Sequence, residues 1–143
     1  MYGIIRIRNG LGGTFVILRP PKSPEGGLYS EDFKLLFYMQ QIKYLSAKEL
    51  APGLTGYYAH GTSMTFGLVE IKAGSILPSH HHVQEQITYI VEGNLDMTID
   101  GKHCPLTAGM YYVIPSNVVH SAVALTDCKV IDVFNPVRED YKK

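Results

Sequence analysis

From Met64 onward, turn residues cut the chain into short runs of β-type residues, and this spacing limits the available folds more than any other feature. Met64–Lys72, Gln86–Glu92, Tyr111–Ile114, Val118–Leu125 and Lys129–Phe134 are rich in β-branched and aromatic residues. None is long enough to act as a core helix. Leu95, Met97 and Ile99 alternate with Asp96, Thr98 and Asp100, which gives one apolar and one polar face. Gly93-Asn94 and Asp100-Gly101 are two-residue hairpin signals. Many short strands at this spacing imply an all-β antiparallel sandwich or barrel.

Upstream the pattern differs. Residues 1–38 hold Gly10, Gly12, Gly13, Pro20, Pro21, Pro24, Gly26 and Gly27, dense turn chemistry without a long periodic element. Ile5 and Ile7 alternate with Arg6 and Arg8 as in a short strand, and Thr14–Leu18 reads as another. Ser30 is placed to cap a short helix carrying Phe33, Leu36 and Phe37. Ser46-Ala-Lys-Glu49 is a capping-box pattern, predicting one helical turn before Pro52-Gly53. The expected organisation is an irregular extension over residues 1–38 and one domain over 39–143.

Lysine plus arginine and aspartate plus glutamate both number 13, so the formal net charge is zero. Nucleic acid and acidic membrane surfaces call for a basic patch, so neither is an expected partner. No apolar run approaches the roughly 20 residues of a membrane span. MYGIIRIRNGLGG is too broken to read as a secretory signal. Cys104 and Cys128, the 2 cysteines, are far apart and read as free thiols of a cytoplasmic protein.

The chemistry concentrates in the histidines. Side chains alternate faces along a strand, so His80 and His82 point one way and His81 the other. Gln86 shares the face of His80 and His82 if the strand runs unbroken. His120 follows Pro115-Ser116-Asn117, a turn that opens a new strand, and supplies a donor from elsewhere in the chain. A histidine triplet is also compatible with a solvated surface run. The parity, the remote histidine and the framing turns favour a metal site.

These residues resemble the cupin family. Gly74-SILPS-His80-His81-His82-VQE-Gln86-ITYIVE-Gly93 matches the first cupin motif, G-x5-H-x-H-x3-E-x6-G, at every spacing, with Gln86 in the glutamate position. Gly109-MYYVI-Pro115-Ser116-Asn117-VV-His120 resembles the second motif, G-x5-P-x-G-x2-H-x3-N, with Asn117 for glycine and Ala124 for the final asparagine. The resemblance covers residues 60–138 well, 39–59 loosely and 1–38 not at all. It implies a jelly-roll β-barrel holding one divalent metal ion, with His80, His82, Gln86 and His120 as ligands. Zinc, nickel, manganese, iron and copper all suit such donors. Because glutamine is neutral, the metal would keep its full charge. That favours isomerisation, enolisation or anion binding over oxygen chemistry.

On Lys129-VIDVF-Asn135, the residues Val130, Asp132 and Phe134 share a face, and an acid on an apolar strand is costly unless paired or functional. The ending DVFNPVREDY resembles the small cupins of pectin and alginate breakdown, which linearise 4,5-unsaturated uronates. That resemblance makes Asp132 a proton-transfer group, Phe134 a pocket wall and Arg138 a clamp for the sugar carboxylate. The structural alternative is an Asp132–Arg138 bridge. The functional alternatives are a non-enzymatic cupin binding metal and a small anion, and a metal-dependent dioxygenase or lyase. Small cupins expose sheet edges and an apolar outer face, so a homodimer is expected, with Ile4–Ile7 as a strand added at the interface.

Overall fold

The computed structural model describes residues 3–8, 14–19, 38–39 and 41–142. The chain divides into two compact units, Met1–Tyr44 and Leu45–Lys143. In the first, β1 (Gly3–Arg8), β2 (Thr14–Arg19) and β3 (Tyr38–Met39) form an antiparallel sheet in that order. Gly3 pairs with Arg19 and Arg8 with Thr14, so both strands expected from the alternating isoleucines and from Thr14–Leu18 are present. The helix expected after Ser30 lies outside the described residues.

The second unit is built from two antiparallel sheets. The larger has six strands in the order β11 (Tyr111–Ile114), β8 (Glu85–Glu92), β13 (Cys128–Asn135), β6 (Thr65–Ile71), β5 (Leu54–His60), β4 (Ala47–Ala51). The smaller has four, in the order β10 (Lys102–Thr107), β9 (Asn94–Ile99), β12 (His120–Ala124), β7 (Ile76–His80). Leu95, Met97, Ile99 and Ala122 of the small sheet pack in one core with Leu54, Val69, Ile90 and Val130 of the large one. This is an all-β jelly-roll barrel, as the strand spacing and the motif resemblance imply.

Strand parity decides which residues face that core. Along β8, Gln86, Thr88 and Ile90 are buried and Ile87, Tyr89 and Val91 exposed. The period-2 rule therefore brings two polar side chains inside with the apolar ones.

Two local expectations are corrected. Ser46–Glu49 does not start a helix. A 3-10 turn at Ile42–Tyr44 is followed by β4, where Ala47, Lys48 and Glu49 pair with Tyr57, Gly56 and Thr55. Ladder pairing along a whole edge outweighs one local capping pattern. Gly93-Asn94 is not a hairpin, because β8 and β9 belong to different sheets. It is the corner where the chain crosses between them. Gly93 has φ 92°, and a Cβ there would lie 2.7 Å from Cys128 Sγ, so both conformation and space demand glycine. Asp100-Gly101 is a true hairpin: Ile99 pairs with Lys102, and φ is 51° and 70° at the turn residues, as a type I′ turn requires. Both cysteines are free, Cys104 half-buried and Cys128 buried. Among the described residues no helix is long and apolar enough to cross a membrane.

Candidate metal centre

Three segments bring the histidines together. His80 ends β7, His120 begins β12, and the two are register partners. His82 lies in the connection after β7, and Gln86 on β8 of the opposite sheet. The unbroken strand from His80 to Gln86 is thus not formed. Gln86 faces inward through the parity of β8, not of β7, while His81 and Glu85 are exposed. The turn before His120 depends on Asn117, which takes φ 62° and donates its backbone N–H to the His82 carbonyl at 2.8 Å. Asparagine tolerates this left-handed geometry where the family motif has glycine.

The ring centroids lie 4.2 Å apart for His80–His120, 5.2 Å for His82–His120 and 5.9 Å for His80–His82. One ring nitrogen from each lies within 4.8 Å of the others. In every case Nδ1 faces a backbone carbonyl: Pro78 from His80 at 2.8 Å, Gln84 from His82 at 3.0 Å, Val118 from His120 at 2.9 Å. A carbonyl only accepts, so Nδ1 carries the proton, and in a neutral ring Nε2 is left as a bare lone pair. Burial favours that neutral form in two of the rings. Desolvation lowers the His120 pKa to about 4 against the opposing bond to Val118, and desolvation lowers that of His82 too.

Two observations then test whether a cation fits. His120 Nε2 is buried without a hydrogen-bond partner among the described residues. His82 Nε2 stands 2.9 Å from Gln86 Oε1, two acceptors facing each other once Nδ1 holds the proton. A cation between these atoms resolves both the orphan and the clash. Three imidazoles and an amide oxygen suit a divalent ion such as zinc or nickel.

Asp132 stands behind Gln86, paired in register with Thr88. Gln86 Nε2 donates to Asp132 Oδ1 and to Thr88 Oγ1, both at 2.8 Å, and the Thr88 hydroxyl donates to the same Oδ1 at 2.7 Å. Desolvation pushes the Asp132 carboxyl above the usual carboxylate range, against the bonds from Thr88 and Gln86.

A two-sheet barrel with inward imidazoles near one rim matches known proteins. The Cupin domain family matches residues 67–134. The structure of KdgF from Halomonas sp. superposes with a TM-score of 0.65 at 30% identity, covering 69% of this chain and 93% of that one. This chain belongs to the cupin family. Pectin degradation protein KdgF of Dickeya dadantii is 34% identical over 65 residues, 45% of this chain and 59% of that protein. H2HPP isomerase of Bacillus subtilis is 28% identical over 146 residues, 88% of this chain and 61% of that protein. The cupin thus spans about three-fifths of each of these two curated relatives.

The tail of this cupin packs beside the histidines. Phe134, inward on β13, sets its ring edge-on to His82, with centroids 5.5 Å apart. A turn at Asn135-Pro136, with a cis peptide, leads to Arg138, which is 7% exposed. The Asp132–Arg138 bridge is not formed. Arg138 Nε and Nη2 instead donate to the two carboxylate oxygens of Asp140 at 3.0 and 2.8 Å. Burial works to lower the Arg138 pKa, but Asp140 outweighs it and the group stays charged. Its guanidinium lies 3.8 Å over the Tyr141 ring and 5.0 Å from that of Phe134. Tyr58 packs 4.5 Å from Tyr141.

Three residues here carry no role in the sequence reading. Thr88 was legible in principle, being two residues from Gln86 on the same strand. Tyr141 lies inside the tail motif but has no local signal. Tyr58 depends on Gly56 and Gly67, and the pairing that puts Gly67 opposite Tyr58 is visible only in the sheet.

Proposed function

We propose that this cupin is a metal-dependent isomerase that opens the ring of an unsaturated uronate-type sugar acid. The observation that carries the reading is Asp132: a desolvated carboxyl tied through one oxygen to Gln86, beside the imidazole cluster and on the face it shares with Phe134. Opening a cyclic hemiacetal removes a proton from the anomeric hydroxyl and returns one to the ring oxygen. A carboxyl whose pKa is raised toward the working pH serves both transfers. Both hydrogen bonds from Gln86 and Thr88 end on Oδ1, so Oδ2 is the atom assigned to proton traffic. Arg138 suits the sugar carboxylate, because a guanidinium fork matches two carboxylate oxygens. Asp140 occupies that fork in the present geometry and holds it between Phe134 and Tyr141. A divalent metal on His80, His82, Gln86 and His120 supplies a Lewis acid for substrate oxygens when bound. The similarity to pectin degradation protein KdgF supports this substrate class.

The test is loss of ultraviolet absorbance of a 4,5-unsaturated uronate, with zinc- or nickel-loaded protein against the enzyme-free rate. Wild type should exceed that rate. Asp132→Asn should lower the catalysed rate by about 10²–10⁴, the range for a general acid–base group. Arg138→Ala should act mainly on KM, because a carboxylate clamp serves ground and transition states alike. A wild-type rate equal to the enzyme-free control refutes the isomerase, and the reading as a metal- and anion-binding cupin replaces it.

A further inference from the structure

We infer that Asp132 and Thr88 key the side-chain amide of Gln86, so that this cupin selects glutamine at position 86 over the glutamate of the family motif. The inference rests on the metal-centre reading and concerns how one ligand is selected and aimed. An amide can present either end to the imidazoles. Here the amide nitrogen has two acceptors close together, Thr88 Oγ1 and Asp132 Oδ1, each at 2.8 Å. Turning the amide over would give its NH2 one bond to the His82 Nε2 lone pair, but it would lose both bonds to Thr88 and Asp132, set its oxygen against the carboxylate and cap the lone pair that a metal needs. The pair behind Gln86 therefore points Oε1 at His82 Nε2, where it lies 2.9 Å away.

The same geometry selects against glutamate. A carboxylate at position 86 has no N–H to give. Its second oxygen would sit where Nε2 now lies, 2.8 Å from Asp132 Oδ1, with no donor between two acceptors. The Thr88 hydroxyl has one proton and cannot serve both. Asp132 acts as a positioning residue for the metal through Gln86, in addition to the role proposed for its other oxygen. The Gln86 departure from the motif and the acid on β13 become two halves of one feature.

The test is a double-mutant cycle read as zinc affinity, by competition with a chromogenic chelator at one neutral pH. It uses wild type, Gln86→Glu, Asp132→Asn and the double variant. Gln86→Glu alone should bind zinc no better than wild type although it adds a negative ligand. In the Asp132→Asn background, where the new amide can donate to the introduced carboxylate, the same change should tighten zinc binding by about tenfold or more. Equal effects in the two backgrounds, within about twofold, overturn the inference. Should Gln86→Glu fail to fold by circular dichroism, Asp132→Asn and Asp132→Leu decide. Asparagine keeps an acceptor for Gln86 and should hold affinity within about threefold. Leucine keeps none and should lose about tenfold or more. Equal affinity of those two variants also overturns it. A wild type that binds no zinc sinks the metal centre itself, and this inference with it, whereas zinc binding with additive variants sinks this inference alone.

Discussion

Gly67→Ala probes how the end of the barrel around Arg138 and Tyr141 is packed. Gly67 lies opposite Tyr58 in the β5–β6 register, and an alanine Cβ there would stand 2.6 Å from Tyr58 Cε1 and 2.8 Å from Cδ1. Ordinary contact begins at 3.4 Å, so the ring must retreat by the difference from 2.6 Å, about 0.8 Å. It has little room to do so. Tyr58 is 7% exposed, its other flank is taken by Gly56, and Tyr141 lies 4.5 Å away with the Arg138 guanidinium on its face. Overpacking of this kind costs about 1–3 kcal/mol. Without the tyrosine ring the sign should reverse. Gly67 has no left-handed φ, and glycine inside a strand is worse than alanine by about 0.5–1 kcal/mol. Urea unfolding of wild type, Gly67→Ala, Tyr58→Leu and the double variant measures this. Gly67→Ala should destabilise wild type by about 2 kcal/mol and leave the Tyr58→Leu background unchanged or more stable. Additive effects, or a Gly67→Ala protein as stable as wild type, would refute the claim that this glycine exists to seat Tyr58.

Other outcomes follow from the same geometry. Burial holds His120 at about 4 against 6.5 for a free imidazole, so the unfolded chain binds the extra proton between those values. This group should therefore add stability to the metal-free protein that is fully present above pH 6.5, and at most about 3 kcal/mol of it is lost as pH falls from there through about 4. Urea unfolding in chelator across that range checks it, and His120→Gln should flatten the dependence. Zinc at roughly 100 times its dissociation constant should stabilise wild type by about 2.7 kcal/mol in thermal unfolding and leave His120→Ala unmoved. The outer face of the large sheet presents Phe66, Ile87, Tyr89, Tyr111 and Val113 to solvent, in neighbouring cross-strand rows. An apolar face of this extent is expected to pair with a second copy. Light scattering should give a dimer for wild type and a monomer for Ile87→Asp, and a monomeric wild type would contradict it.

Much of this fold is legible in the sequence. The spacing of short apolar runs specifies an all-β barrel because strand parity and turn chemistry are local. The Asp100-Gly101 hairpin and the left-handed Asn117 come from the same local rules. The three histidines are legible because two lie at i and i+2 and the third follows a turn. Which connections cross between sheets is not legible. Gly93-Asn94 carries the same dipeptide signal whether it closes a hairpin or turns a corner, and only the pairing of β8 with β13 and β9 with β12 decides. The strand at Ala47–Ala51 replaces an expected helical turn because a ladder of remote partners outweighs a local cap.

The partner of each site residue depends on the assembled sheets. Parity places Asp132 inward, but its bonds to Gln86 and Thr88 join residues more than 40 positions apart along the chain. Arg138 reads in the sequence as a carboxylate clamp or as the partner of Asp132, and the fold gives it to Asp140 and stacks it on Tyr141. Tyr58 becomes part of that end of the barrel only because two glycines, one of them on the neighbouring strand, leave space for its ring. Residue type and strand parity, both readable along the chain, settle which side chains face inward and which can ligate. Three-dimensional packing settles which of them touch, because contact between strands depends on register, and register is set by the whole sheet rather than by any one segment.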